Sequence, residues 1–263
     1  MIHLASTDTL SHVLDGPVTF LGPHVQEFLL RLGITKHIAM LFLSGLLVCL
    51  LVTWYARRIK LNRDRIPRGG AGLLEVTILF VRDEIVRPVV GPETDRCFPF
   101  AATLFLLILT CNLLGLVPGF ATATGNTGVN AGLAIVAFCA WHVFGIRRNG
   151  LKAYLRSLVP EVPVFVWPVM LVVELVSHLV RPFALTIRLF ANMLAGHTVL
   201  LTILGFTKAF TSEKLLMGGA VSLASVAGAV ALSFLEIFVA FLQAFIFVFL
   251  TVIFTGMALH PEH

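Results

Sequence analysis

The stretch LLMGGAVSLASVAGAVALSFLEIFVAFLQAFIFVFLTVIFTGMAL, Leu215 to Leu259, carries no charge before Glu236. A helix needs about 20 apolar residues to cross the roughly 30 Å of bilayer hydrocarbon. In lipid the backbone must satisfy its own hydrogen bonds, so an apolar run of this kind is expected to be helical. This one is far longer than a simple span. A second stretch, Val169 to about Ala209, has Pro182 as its only internal proline. A lone proline kinks a helix without reversing it. As one helix, that stretch would run on the order of 60 Å at 1.5 Å per residue. Each long helix is therefore expected to be strongly tilted, bent or broken in two. The cluster Lys208, Thr211, Ser212, Glu213 and Lys214 supplies a turn between them, which suggests a tilted hairpin.

Working outward, the rest of the chain fits the same solvent. It is 58% hydrophobic and 13% charged, with a mean hydropathy of +0.95. A soluble domain carries roughly 25% charged residues. The expected spans are Ile38–Tyr55, closed by the interfacial Trp54 and Tyr55, then Cys97–Leu116, then Val129–Ile146. Pro118, Gly119, Gly125 and Gly128 mark a turn that makes the last two an antiparallel hairpin. Between the first and second spans, Gly72–Val90 reads as a helix lying in the interface, ended by Pro88 and Pro92. Leu73, Leu74, Leu79, Val81 and Val86 form its apolar side, and Glu75, Arg82, Asp83, Glu84 and Arg87 its charged side. The fold expected is an all-α membrane protein: one transmembrane helix, an amphipathic interfacial helix, a transmembrane hairpin and two long tilted helices. Residues 1–36 are read as an outer segment and 37–263 as a single integral membrane domain.

The net charge of +5 reads as topology, not as an affinity for nucleic acid. Arg57, Arg58, Lys60, Arg63, Arg65 and Arg68 follow the first span, and Arg147, Arg148, Lys152 and Arg156 follow the third. Val117–Asn130 has no charge. The positive-inside rule then puts the basic loops in the cytoplasm and the N-terminus outside. No basic segment followed by an early apolar stretch and a cleavage site is evident at the start. The four cysteines, Cys49, Cys97, Cys111 and Cys139, form no close-spaced pair and read as small core residues, with no metal or disulfide role expected.

Within the first long helix, Glu174, His178, Arg181, Leu185, Arg188 and Asn192 are spaced by four, three, four, three and four, which puts them on one narrow stripe. His197 lies on another face. In the second long helix Glu236 and Gln243 share a face. Ionisable residues inside a membrane segment are functional candidates by default. Arg188 is the most demanding of them. It cannot deprotonate, and at the bilayer centre it costs about 2.5–3.5 kcal/mol by insertion scales. Its role must therefore be electrostatic, whereas His197 and Glu236 can carry protons. A fixed charge flanked by titratable groups is what two non-communicating proton paths require. Bland roles stand beside these. Arg181, next to Pro182, suits snorkelling; His178 and Glu174 suit helix contacts; Asn192 and Gln243 suit interhelical bridges; His142 reads as structural.

Arg188-Leu189-Phe190-Ala191-Asn192-Met193-Leu194-Ala195-Gly196-His197 closely resembles the signature of subunit a of the F-type ATP synthase membrane sector. Glu174-Leu175-Val176-Ser177, Arg181-Pro182, Leu242-Gln243-Ala244-Phe245-Ile246-Phe247 and Asn112-Leu113-Leu114-Gly115-Leu116-Val117-Pro118 support it, and the match runs from about Gly70 to the end. The resemblance implies two long tilted helices curving around a rotor ring of proteolipid c subunits. It also implies a non-catalytic subunit without cofactor, working with the ring, the peripheral stalk b subunits and the rest of the synthase in the lipid bilayer. By the same resemblance Arg188 faces the ring carboxylate and separates two half-channels, with Gln243 beside it. Glu174 matches the residue of the cytoplasmic path, and Asn192 that of the outer one. His197 and Glu236 exchange the acid and imidazole of several bacterial members, as mitochondrial members do. Gly128 stands near where some members place an acid at the outer mouth. The expected site is a bacterial plasma membrane with a cytoplasmic C-terminus, the alternative being a mitochondrial inner membrane. A rival class is a haem-bearing quinone oxidoreductase subunit using His142, His178 and His197, which leaves Arg188 unexplained.

Overall fold

The computed structural model describes residues 35–61, 69–117, 122–157 and 215–260, together with single positions between 169 and 202. Every extended element among them is helical. Helix α1 is Lys36–Leu61, α2 is Gly70–Phe80, and a π-helical turn follows over Val81–Val86. Helix α3 is Arg87–Val90, α4 is Thr94–Gly115, α5 is Thr127–Asn149 and α6 is Leu151–Ser157. Helix α7 runs unbroken from Leu215 to Leu259, 45 residues, or roughly 68 Å at 1.5 Å per residue. Among the described residues, four segments are long and apolar enough to cross a membrane: Lys36–Ile59, Gly70–Gly115, Thr127–Asn149 and Val226–Leu259. The described positions of the first long stretch, among them Val173, Val180, Thr186, Arg188 and Thr198, are helical.

Helix ends follow local chemistry. Helix α5 carries Arg147 and Arg148 in its last turn, where cations oppose the negative end of the helix dipole. It stops at Gly150, whose φ of 79° lies in the left-handed region and whose N–H bonds the Ile146 carbonyl at 2.8 Å. At the start of α5 the Asn126 side chain accepts the Gly128 N–H at 2.7 Å, satisfying one of the donors a helix N-terminus leaves open.

The segment expected as one amphipathic helix is built differently. Leu73 and Leu79, assigned to its apolar side, are exposed together with Val76, whereas Val81 and Val86 are buried with Ile85. The π turn supplies the reason, because widening a turn rotates the following side chains to another face. Apart from Glu75 in α2, the charged residues collect in and just after that turn, where Asp83 pairs with Arg87 at 3.6 Å and Arg82 with Asp95 at 3.2 Å. Pro88 does not end the helix but sits at the start of α3, where its missing N–H matters least. The stop is Gly91, at a φ of 62°.

The chain packs as two compact units. The first comprises residues up to Ser44, Leu109–Val129 and Arg188–Gln243; the second comprises Gly45–Ile108, Asn130–Ile187 and Ala244 onward. The interior of the second unit is chiefly apolar and aromatic. Phe80 meets Phe105 and Phe245 with ring centres 6.4 and 6.0 Å apart, and Trp141 packs edge-on against Phe138 and Phe254 at 5.1 Å each. His142 belongs to this cluster. Its Nδ1–H donates to the Phe138 carbonyl at 2.8 Å while its ring stacks on Trp141. The interior of the first unit is more polar: His37, Ser44, Asn112, Thr122, Thr124 and Gln243 are all buried there. Of the cysteines, Cys97 and Cys111 are core residues, but Cys49 and Cys139 are exposed, on helix surfaces whose apolar character suits lipid. Helix α1 shows the same character, exposing Phe42, Leu46, Leu50 and Trp54.

Candidate functional site

Glu236 and Gln243 lie seven residues apart on α7, two turns along one face. That face is the buried one, since Ala229, Ala240 and Gln243 are all buried. Gln243 is only 2% exposed. Both carboxyl oxygens of Glu236 are buried, and neither has a hydrogen-bond partner among the described residues. The opposite side of the helix exposes Val230, Phe234, Phe238 and Phe241. The apolar flank therefore faces outward and the two polar side chains inward, an arrangement the 3.6-residue period allows without a break in the helix.

Arg188 stands in helical backbone and is exposed. Among the described residues it has no ion pair and no hydrogen bond. Its neighbour Ile187 is exposed as well, so the guanidinium emerges on an apolar surface. Arg188, Glu236 and Gln243 all fall in the first unit. Arg181 falls in the second, where its guanidinium lies over the Phe254 ring, 4.7 Å from the centroid. Such a cation–π contact is worth about 0.5–2 kcal/mol. Arg181 is thus held by an aromatic ring of α7, a structural attachment that snorkelling does not require. Glu174, His178, Asn192 and His197 lie outside the described residues.

Sequence reasoning passed over a buried network in the first unit. The Thr124 hydroxyl donates to Asn112 Oδ1 at 2.8 Å, and Asn112 Nδ2 donates to the Ala240 carbonyl at 3.2 Å. The Nδ1–H of His37 donates to the Thr122 carbonyl at 2.7 Å. Asn112 was visible only as the first residue of the segment Asn112-Leu113-Leu114-Gly115-Leu116-Val117-Pro118 that supports the family resemblance. Nothing in the sequence pointed to His37 or to the two threonines, because their partners are remote along the chain.

Fold and site together define a multi-pass integral membrane protein that keeps polar and ionisable side chains inside its apolar helices, the pattern associated with ion or substrate pathways. Comparison with known proteins narrows the class. Residues 38–256 match the family model described as ATP synthase A chain. ATP synthase subunit a of Myxococcus xanthus is 44% identical over 247 residues, covering 92% of this chain and 78% of the relative. The subunit a of Chloroherpeton thalassium is 37% identical, covering 97% and 78%, and a subunit a 2 of Chlorobaculum tepidum is 34% identical, covering 98% and 72%. The chain belongs to the ATP synthase A chain family.

Proposed function

We propose that the chain is the stationary, proton-conducting subunit in the membrane sector of an ATP synthase. The observation that carries the reading is Arg188: a permanent cation, exposed on an apolar helix, with no counter-ion among the described residues, in the same compact unit as a buried carboxyl that has no hydrogen-bond partner among the described residues. The reading gives this charge a partner on another chain. In this reading the partner is a carboxylate on a rotating ring of proteolipid c subunits. Protons enter from outside past Asn192, His197 and Glu236 and neutralise a ring carboxylate. The ring turns, and the proton leaves by an inner path near Glu174. Arg188, with Gln243 beside it, stabilises the ionised carboxylate as it passes and blocks direct leakage. His178 and Arg181 support the inner side. Each charge crossing about 100 mV delivers about 2.3 kcal/mol, so several are needed for each ATP.

The same reading treats the two long helices as a tilted pair against the ring and residues 37–263 as one membrane domain after an outer segment. It places the protein in a bacterial plasma membrane, N-terminus outside and C-terminus in the cytoplasm. Peripheral stalk b subunits hold it still, and catalysis belongs to other subunits. The bacterial relatives and the apolar spans support a multi-pass membrane protein, and the basic loops after the first and third spans motivate the orientation. The test is Arg188→Ala in the assembled complex in vesicles. Proton-driven ATP synthesis should be lost while the complex still assembles, and retained synthesis would overturn the role.

A further inference from the structure

The proton pathway outlined above makes no use of the buried network around Asn112. Asn112 and Thr124 are 0% exposed, and Ala240 is 1% exposed. An amide inside an apolar span is costly unless both its ends are bonded. Asn112 meets that demand with two specific partners: its oxygen accepts from Thr124, and its nitrogen donates to the main-chain carbonyl of Ala240. Ala240 sits one helical turn beyond Glu236 and three residues before Gln243. The amide therefore holds the backbone of α7 in the short stretch that carries both polar side chains.

The other end of the network is held too. Thr124 belongs to the 3-10 turn Ala123–Gly125, and the residue before that turn, Thr122, receives the His37 ring N–H at 2.7 Å. Gly115, at the end of α4, lies so close to the Thr122 side chain that a Cβ there would collide with it. Threonine, asparagine and carbonyl thus form a tie anchored in a turn that is itself pinned at Thr122, which both His37 and Gly115 meet.

We propose that Asn112 is a positioning residue for proton transfer: with its acceptor end occupied by Thr124, it fixes the α7 backbone between Glu236 and Gln243 and so sets where those side chains stand. Thr124 acts through Asn112. This rests on the reading of Glu236 and Gln243 as members of the proton pathway. Misplacing a reacting group by about 1 Å can cost on the order of 100-fold in rate, so loss of the tie should be visible in turnover before it is visible in assembly.

The experiment measures proton-driven ATP synthesis by the assembled complex in vesicles, normalised to the amount of this chain incorporated, with hydrogen exchange followed in α7 peptides. Asn112→Leu should slow synthesis by about tenfold to 100-fold and raise exchange over residues 236–243 while residues 129–143 stay unchanged. Thr124→Val should slow it less, and Thr124→Ser should restore it to within about twofold of the native rate. Because Thr124 works through Asn112, the double variant should be no slower than Asn112→Leu alone. Arg188→Ala is run in parallel. Full synthesis in that variant would remove the underlying pathway reading. With Arg188→Ala inactive, three results each overturn the positioning role alone: native rates in Asn112→Leu, multiplicative losses in the double variant, or unchanged exchange over 236–243.

Discussion

Replacing Glu236 with leucine should separate stability from function. Both oxygens of this carboxyl are buried without a hydrogen-bond partner among the described residues. A buried polar group left in that state costs about 1–3 kcal/mol, roughly a 5- to 150-fold change in an equilibrium constant. Leucine has similar size, suits the apolar helix around it and carries no such cost. Glu236→Leu should therefore leave the assembled complex as stable as the native one, or more stable by up to about 3 kcal/mol. Glu236→Gln keeps an unpartnered polar group in the same place and should gain nothing. Both should abolish proton-driven synthesis, because neither side chain can take up and release a proton. A functional group retained against stability is the usual cost of an active position. The assay is a denaturant titration of the reconstituted complex beside ATP synthesis in vesicles. If Glu236→Leu unfolds more readily by over about 1 kcal/mol, the carboxyl is held by favourable contacts and the reasoning fails. Native synthesis rates in Glu236→Leu would take the residue out of the pathway.

Three further outcomes are expected. The double exchange His197→Glu with Glu236→His should keep some proton transport, and a dead double variant alongside active single variants would show that the two are not a relay pair. Gly256→Ala should destabilise by about 1–3 kcal/mol in the denaturant titration, since the added Cβ would stand 2.8 Å from Val89 Cγ1 and 3.1 Å from the Val89 carbonyl oxygen. Tyr154, on the short helix outside the spans, has its phenol pushed above its ordinary value by burial, with Arg181 acting in the opposite direction. The unfolded chain then loses this proton first. The neutral phenol's contribution is complete below the ordinary tyrosine value of about 10 and is lost as pH rises through the folded value. Unfolding midpoints measured at about pH 8 and about pH 11 should therefore fall less in Tyr154→Phe than in the native protein.

The helices were legible in the sequence because lipid leaves the backbone little choice. Leu215–Leu259 forms one helix with the bounds its apolar composition implied. The other spans run further than their uncharged runs. Helix α1 continues past Tyr55 through Arg57 and Arg58, and α5 past Ile146 through Arg147 and Arg148. An uncharged run ends where the first charge falls, but a helix continues into the headgroup region, where basic side chains are welcome. The segment between α1 and α4 was legible as helix but not as two faces, because a π turn leaves no periodic signature of its own. Arg188, Glu236 and Gln243 stood out as candidates because polar groups are costly in apolar helices.

By itself, then, the sequence determined the solvent, the helices and which side chains must be explained, since all three follow from local composition and the energetics of burying charge. Only the tertiary structure decided what those side chains meet. It turned Arg181 onto Phe254 and left Arg188 exposed. It buried the Glu236 carboxyl oxygens with no hydrogen-bond partner among the described residues and joined Asn112 to a carbonyl 128 residues away. Such pairings depend on which faces of separate helices come together, and helical periodicity specifies a face without specifying its partner.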